Sequence, residues 1–144
     1  MSTYEALIDM YESLGRELRA LLKDVEKFEK TSELTLDLVE LDAAMLSGTH
    51  MQRLVVGRRR MAAGRDLAQS AMRDAADHLQ SLGRFTLQSE VAAGMGDSVT
   101  ARNASKMADD AVAAANRELE GAFSLVEMIR KTLAESGIPK LFIC

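Results

Sequence analysis

The stretch that decides the fold is THMQRLVVGRRRMAAGRDLAQSAMRDAADHLQSL, residues 49–82. Written as a heptad repeat, it places mainly glycine, alanine and methionine at the central a and d positions, where coiled coils usually carry leucine. Small residues let a neighbouring helix approach closely, and this packing would offset the cost of about 1 kcal/mol that a glycine imposes on a helix interior. We therefore predict that residues 49–82 form the middle helix of a bundle. Its close-packing seam, together with matching alanines further along the chain, comprises Gly57, Gly64, Ala68, Ala71, Ala75, Ala108, Ala111 and Ala115.

An apolar stripe with alternating three- and four-residue spacing precedes this stretch and extends over four heptads. Its members are Tyr4, Leu7, Tyr11, Leu14, Leu18, Leu21, Val25 and Phe28. The phase changes near Ser32, where a new stripe begins at Leu34. The change fits either one helix with a stutter or a kink near Ser32. We favour one bent helix over residues 3–46.

Glycines mark the predicted connections. Gly48 suits the left-handed position after a helix, and Thr49 caps the helix that follows. Gly83 is expected to end or interrupt the middle helix. Residues 85–95 are then either an extension of that helix or a short extra helix, and Asp97 or Ser98 caps the last one.

These elements predict an all-α fold, an elongated antiparallel three-helix bundle with coiled-coil-like packing, built from a helical hairpin and a long C-terminal helix. Helices over residues 3–46, 49–82 and 98–136 would be about 66, 51 and 58 Å long at 1.5 Å per residue. Residues 1–137 are assigned to one domain and residues 138–144 to an apolar C-terminal tail.

The predicted register follows from folding the chain at its glycines. It pairs the alanine-rich residues 101–115 with residues 64–79 and brings Phe123 against Gly57. Large side chains would then meet small ones, as interdigitated packing requires.

The composition favours helices and gives no membrane or export signal. Among 144 residues, 47% are hydrophobic and 28% are charged, with one proline and no tryptophan, which is unlike a sheet protein of this size. No apolar run approaches the length of about 20 residues needed to span a bilayer. The first residues lack a basic region followed by an apolar core, so we expect a cytoplasmic protein, with export without a cleaved signal or incorporation into an assembly as the alternatives.

The net charge of −4 is unevenly distributed and favours internal ion pairs. Residues 1–48 carry 5 basic and 11 acidic side chains, whereas residues 49–84 carry 7 basic and 3 acidic ones. Folding at residue 48 pairs Arg53 with Asp42 and Arg58 with Asp37. The weaker alternative is a nucleic-acid-associated protein, whose phosphate contacts would come from the arginine cluster Arg58, Arg59, Arg60 and Arg65.

We predict no catalytic, metal or cofactor site. His50 and His78 are not preceded by glutamate in the Glu-x-x-His step of di-iron bundles, and Asp74 with His78 gives only two ligands. Cys144 has no nearby base to activate it as a nucleophile. The chain is therefore expected not to be an enzyme.

Protein binding is the function that the pattern favours. Its first form is self-association into a homo-oligomer. The first-helix stripe is too wide for two partner helices to cover, and exposed apolar tails are uncommon in monomers. The predicted interface comprises Tyr4, Ile8, Tyr11, Leu22, Ile138, Leu141, Phe142 and Ile143. The first expectation is a structural protein that self-associates or docks into a larger complex through these residues.

A chaperone or adaptor is the alternative form of protein binding. The heptad-rich first helix and the size of the chain resemble, in architecture only, small helical secretion chaperones and coiled-coil adaptors. That resemblance implies a groove that binds an amphipathic helix of a client protein. The groove would be lined by methionines, Met10, Met45, Met51 and Met61.

Overall fold

The computed structural model of the protein describes the backbone of residues 3–41 and 48–135, and the side chains of residues 3–31 and 55–135. Three α-helices cover this part of the chain apart from residues 95–97: α1 Thr3–Leu41, α2 Gly48–Gly94 and α3 Ser98–Glu135. The helices pack against one another, and no strand occurs among these residues. The predicted all-α three-helix bundle is confirmed.

Helix α1 is continuous through Ser32, so the prediction of one helix across the change of phase is confirmed as far as Leu41. Its heptad stripe supplies much of the core, because six of its eight members are buried: Leu7, Leu14, Leu18, Leu21, Val25 and Phe28. Tyr11 is half-buried and Tyr4 is exposed. The predicted extension over residues 42–46 lies outside the described residues.

Helix α2 runs through Gly83 to Gly94, so the prediction that Gly83 ends or interrupts the middle helix was wrong. Of the two possibilities for residues 85–95, extension of the helix is the one observed. A glycine inside a helix costs only about 1 kcal/mol, which tertiary packing can exceed. Packing continues on both sides of the glycine, since Leu82 and Ala92 are buried.

A three-residue turn joins α2 to α3 and makes them antiparallel neighbours. The N–H of Asp97 donates to the carbonyl of Ala92, the N–H of Gly96 donates to that of Ala93, and Gly96 has φ 78°. This pair of bonds with a left-handed glycine is the Schellman arrangement, which satisfies carbonyls at a helix end. Asp97 then caps α3, because its carboxylate accepts a 3.1 Å hydrogen bond from the N–H of Thr100.

The described packing forms two compact units, each containing parts of α1, α2 and α3. Unit 1 comprises Met1–Arg16 and Gln69–Phe123, and unit 2 comprises Glu17–Ala68 and Ser124–Cys144. The core of unit 1 is rich in alanine, and its larger members are Leu7, Leu14, Met72, Leu79, Leu82 and Leu119. Among the described residues, four of the five largest fully buried side chains lie in unit 2, namely Met61, Val25, Val126 and Ile129, and the fifth is Leu119 of unit 1. The assignment of residues 1–137 to a single domain stays a prediction.

In unit 2, α3 meets α2 in a different register from the one predicted. A Cβ atom built on Gly64 would lie 3.0 Å from Cγ1 of Ile129, so residue 64 lies beside residues 128 and 129 and not beside residue 115. The difference arises because α2 continues to Gly94, which moves the turn and slides α3 along α2. The side chain of Phe123, predicted to lie against Gly57, is 52% exposed.

Candidate functional site

An open groove lies in unit 1 among the described residues. Its volume is about 810 Å³, within the range of about 300–1,000 Å³ that is usual for binding pockets. All three helices contribute to its lining, which consists of Thr3, Tyr4, Leu82, Gly83, Thr86, Leu87, Ser89, Glu90, Ser105, Ala108, Asp109 and Val112. We call this surface the open groove.

The open groove lies where α1 begins. Tyr4 packs beside Gly83, with its hydroxyl oxygen 3.4 Å from the position that a Cβ atom on Gly83 would occupy. From residue 83 to residue 94, only Ala92 is buried. The last part of α2 is therefore covered far less than the part that precedes it, and its side chains are accessible to another molecule.

The charge at the open groove is acidic. Glu90 and Asp109 are the charged residues in its lining, and both are exposed. Neither carboxylate has a hydrogen bond or an ion pair with the described residues. The groove thus combines apolar side chains, among them Leu87 and Val112, with two carboxylates that have no cationic partner within this part of the chain.

A patch of exposed apolar side chains surrounds the α2–α3 turn and shares Leu87 with the open groove. Leu87 and Val91 lie four residues apart on one face of α2, Met95 follows in the turn, and Val99 lies in α3. Their exposed fractions are 61%, 52%, 79% and 67%. We call Leu87, Val91, Met95 and Val99 the turn patch. A smaller hollow of about 450 Å³ lies against it, between Val91, Met95 and Thr100.

The predicted interface residues of α1 differ in exposure. Tyr4 is 40% exposed and lines the open groove, whereas Ile8, Tyr11 and Leu22 are half-buried. The four tail members of this predicted set, Ile138, Leu141, Phe142 and Ile143, lie outside the described residues. The structure therefore places Tyr4 at a concave site and the other α1 residues at the edge of the core.

The residues of the predicted close-packing seam are all buried. Unit 1 contains Ala71, Ala75, Ala108, Ala111 and Ala115, and unit 2 contains Gly57, Gly64 and Ala68. Gly64 lies against the bulky Ile129, whereas the predicted register had placed an alanine there.

The arginines of α2 are distributed around the helix. Arg59 and Arg60 are exposed and Arg58 is half-buried. Arg65 donates a 3.0 Å hydrogen bond from Nη1 to Oε1 of Glu29, and both side chains are about one third exposed. The predicted pairs Arg53–Asp42 and Arg58–Asp37 depend on side chains outside the described residues.

The methionine groove predicted for a client helix is wrong at Met61. That side chain is fully buried in the core of unit 2, because it occupies an a position of the α2 heptad. Met10 is 42% exposed, and the side chains of Met45 and Met51 lie outside the described residues.

The described titratable groups form no group of three or more that could hold a metal ion. His78 is half-buried, and the side chain of His50 lies outside the described residues. The hydroxyl of Thr100 donates to Oδ2 of Asp97 at 2.6 Å, and this bond, with the one from the Thr100 N–H, holds the pKa of Asp97 below its ordinary value. That shift belongs to the cap of α3.

Neither the sequence nor the fold matches a known protein in our comparisons. Comparison with protein-family models, with curated proteins and with solved structures found no match. Within the described residues, no helix combines the length and apolarity needed to cross a membrane. The site must therefore be interpreted from its own residues.

The turn patch and most of the open groove were not predicted from the sequence. A signal was present, because Leu87, Val91 and Met95 recur every four residues, and a stripe of that spacing lies on one face of a helix. Gly83 obscured it, since a break there would have separated these residues from the middle helix. Glu29, the partner of Arg65, was missed because the acidic residues considered as partners were those nearer the first connection.

Proposed function

We propose that this protein is a non-enzymatic assembly protein that binds a second copy of itself through the turn patch, the open groove and its apolar tail. The observation that carries the proposal is the exposure of the turn patch, where four large apolar side chains remain accessible around one turn. Large apolar side chains that are exposed close together in sequence and on one turn often mark a site of protein interaction.

The physical reason is the free energy of burial. Removing apolar surface from water contributes about 25 cal/mol per Å², and fully burying one side chain of the size of leucine or methionine contributes about 1.5–3 kcal/mol. Several such side chains at one place can drive association, provided that the partner supplies a complementary apolar surface. The adjoining open groove adds concave shape to this surface.

Light scattering of the purified protein over a range of concentrations tests the proposal. We expect a mass above that of one chain, and a fall in that mass when Leu87 and Met95 are both replaced by serine. The matched control is Leu67→Ser, because Leu67 is 57% exposed in unit 2, outside the turn patch and the open groove. A strict monomer at every concentration, with residues 138–144 present or deleted, would refute self-assembly.

Chaperone or adaptor activity is the second candidate, and the open groove is the observation that favours it. An amphipathic helix of a client could bind there, with cationic side chains beside Glu90 and Asp109. A monomer that forms a defined complex with one heterologous protein, lost on mutation of the groove, would favour this candidate over self-assembly.

A further inference from the structure

We infer that the open groove of one copy receives the apolar tail, residues 138–144, of a second copy. The inference rests on the proposed self-association and names the two surfaces that meet. The occupant of the open groove is thus a segment of the same protein that lies outside the described residues.

Charge and apolarity of the two surfaces are complementary. The sequence IPKLFIC of residues 138–144 contains one cation, Lys140, and no acidic side chain, among four large apolar residues. The open groove contains two exposed carboxylates, Glu90 and Asp109, and no cation, beside apolar side chains such as Leu87. A lysine placed near both carboxylates would make charge-assisted contacts with them. The same carboxylates would repel an acidic segment.

The carboxylates are available for such a partner. Glu90 and Asp109 make no ion pair with the described residues, whereas the acidic residues Glu17, Glu29 and Glu127 already pair with arginines in unit 2. A cation from outside the described residues can therefore bind them without displacing an existing contact.

Each copy carries both surfaces, the groove and the tail. The described part of α3 ends at Glu135 in unit 2, whereas the groove belongs to unit 1. The groove and the tail are different parts of the chain, so their contact would join two unlike surfaces. Such an interface is heterologous, so it grows into a ring or a filament unless the copies exchange tails reciprocally.

Charge reversal in the full-length protein tests this pairing by sedimentation velocity. The groove variant is Glu90→Lys with Asp109→Lys, and the tail variant is Lys140→Glu. We expect each to weaken self-association by about tenfold or more, because like charges would then face each other. Combining all three substitutions restores the attraction and should restore association. The matched control is Asp77→Lys with Asp110→Lys, which reverses two exposed carboxylates outside the groove lining and should change little.

Mixing the two weakened variants gives a sharper result. The intact groove of the tail variant matches the intact tail of the groove variant, and the reversed groove matches the reversed tail. We therefore expect the mixture to associate although each variant alone does not. Circular dichroism of each variant should match the unmodified protein, which verifies that the fold is intact.

Three results would overturn the inference, and they separate it from the proposed function. A monomeric unmodified protein would remove both. An oligomer that is unaffected by either charge reversal would leave the proposed assembly intact and exclude the tail as the groove's occupant. An oligomer that dissociates on Leu87→Ser with Met95→Ser but does not respond to Lys140→Glu would assign the interface to the turn patches of two copies.

Discussion

Gly64 provides the most direct test of how closely α2 and α3 approach in unit 2. A Cβ atom at this position would lie 2.7 Å from Cε of Met128, 3.0 Å from Cγ1 of Ile129 and 3.3 Å from Cδ1 of Ile129. Met128 is 37% exposed and ends in a flexible side chain, so it can move aside. Ile129 is fully buried, so any shift of its side chain would have to be accommodated by the surrounding core. The contact with Ile129 therefore decides the cost of Gly64→Ala.

Two opposing effects set the change in the free energy of unfolding that Gly64→Ala causes. Replacing a helical glycine with alanine stabilises a helix by about 1 kcal/mol, whereas overpacking a filled core costs about 1–3 kcal/mol. We expect Gly64→Ala to range from no change to a loss of about 2 kcal/mol in the free energy of unfolding. Gly121→Ala is the matched control, because Gly121 is an exposed glycine within α3 that has nothing within 4 Å of its Cβ position. Gly121→Ala should show only the stabilisation that alanine gives to a helix relative to glycine.

Urea denaturation followed by circular dichroism, at one protein concentration, measures both variants. The close approach predicts that Gly64→Ala is about 1–3 kcal/mol less favourable than Gly121→Ala, and that Gly64→Leu is worse still. In an Ile129→Ala background, the penalty of Gly64→Ala should largely disappear, since the two residues are in contact. Equal stabilisation by Gly64→Ala and Gly121→Ala would show that the helices are not closely packed there.

Two further predictions concern the α2–α3 turn. Gly96→Ala should destabilise the protein by about 1–2 kcal/mol in urea denaturation, because Gly96 has φ 78° and an L-residue is strained in that conformation. The control Gly94→Ala, two residues earlier at the end of α2, should be neutral or stabilising. Equal effects of the two substitutions would refute the left-handed turn. Measured by NMR, the pKa of the Asp97 carboxyl should lie below its ordinary value. Thr100→Val removes the hydrogen bond from the Thr100 hydroxyl and should raise that pKa. Because folding lowers the pKa of Asp97, the cap stabilises α3 fully at pH values above the ordinary pKa of aspartate. This contribution is lost as the pH falls through the folded-state pKa. A pKa of Asp97 that does not respond to Thr100→Val would contradict the cap.

Local pattern was sufficient to predict the helices and much of the core. The stripe from Leu7 to Phe28 predicted which face of α1 is buried, because helical periodicity and the exclusion of apolar side chains from water act on neighbouring residues. The start of α3 was also identified, since Asp97 has a strong preference for the position before a helix.

Tertiary packing decided how far α2 extends, and the register and the candidate site depend on that. The local cost of Gly83 predicted an end, but α2 continues through it to Gly94, and Ala92 beyond the glycine is buried. With α2 extended to Gly94, Ile129 lies against Gly64, and Leu87, Val91 and Met95 are placed on an exposed face of unit 1. Sequence alone determined that this protein is a bundle of three helices. The structure decided which apolar residues remain exposed, because exposure depends on the contacts that distant residues make.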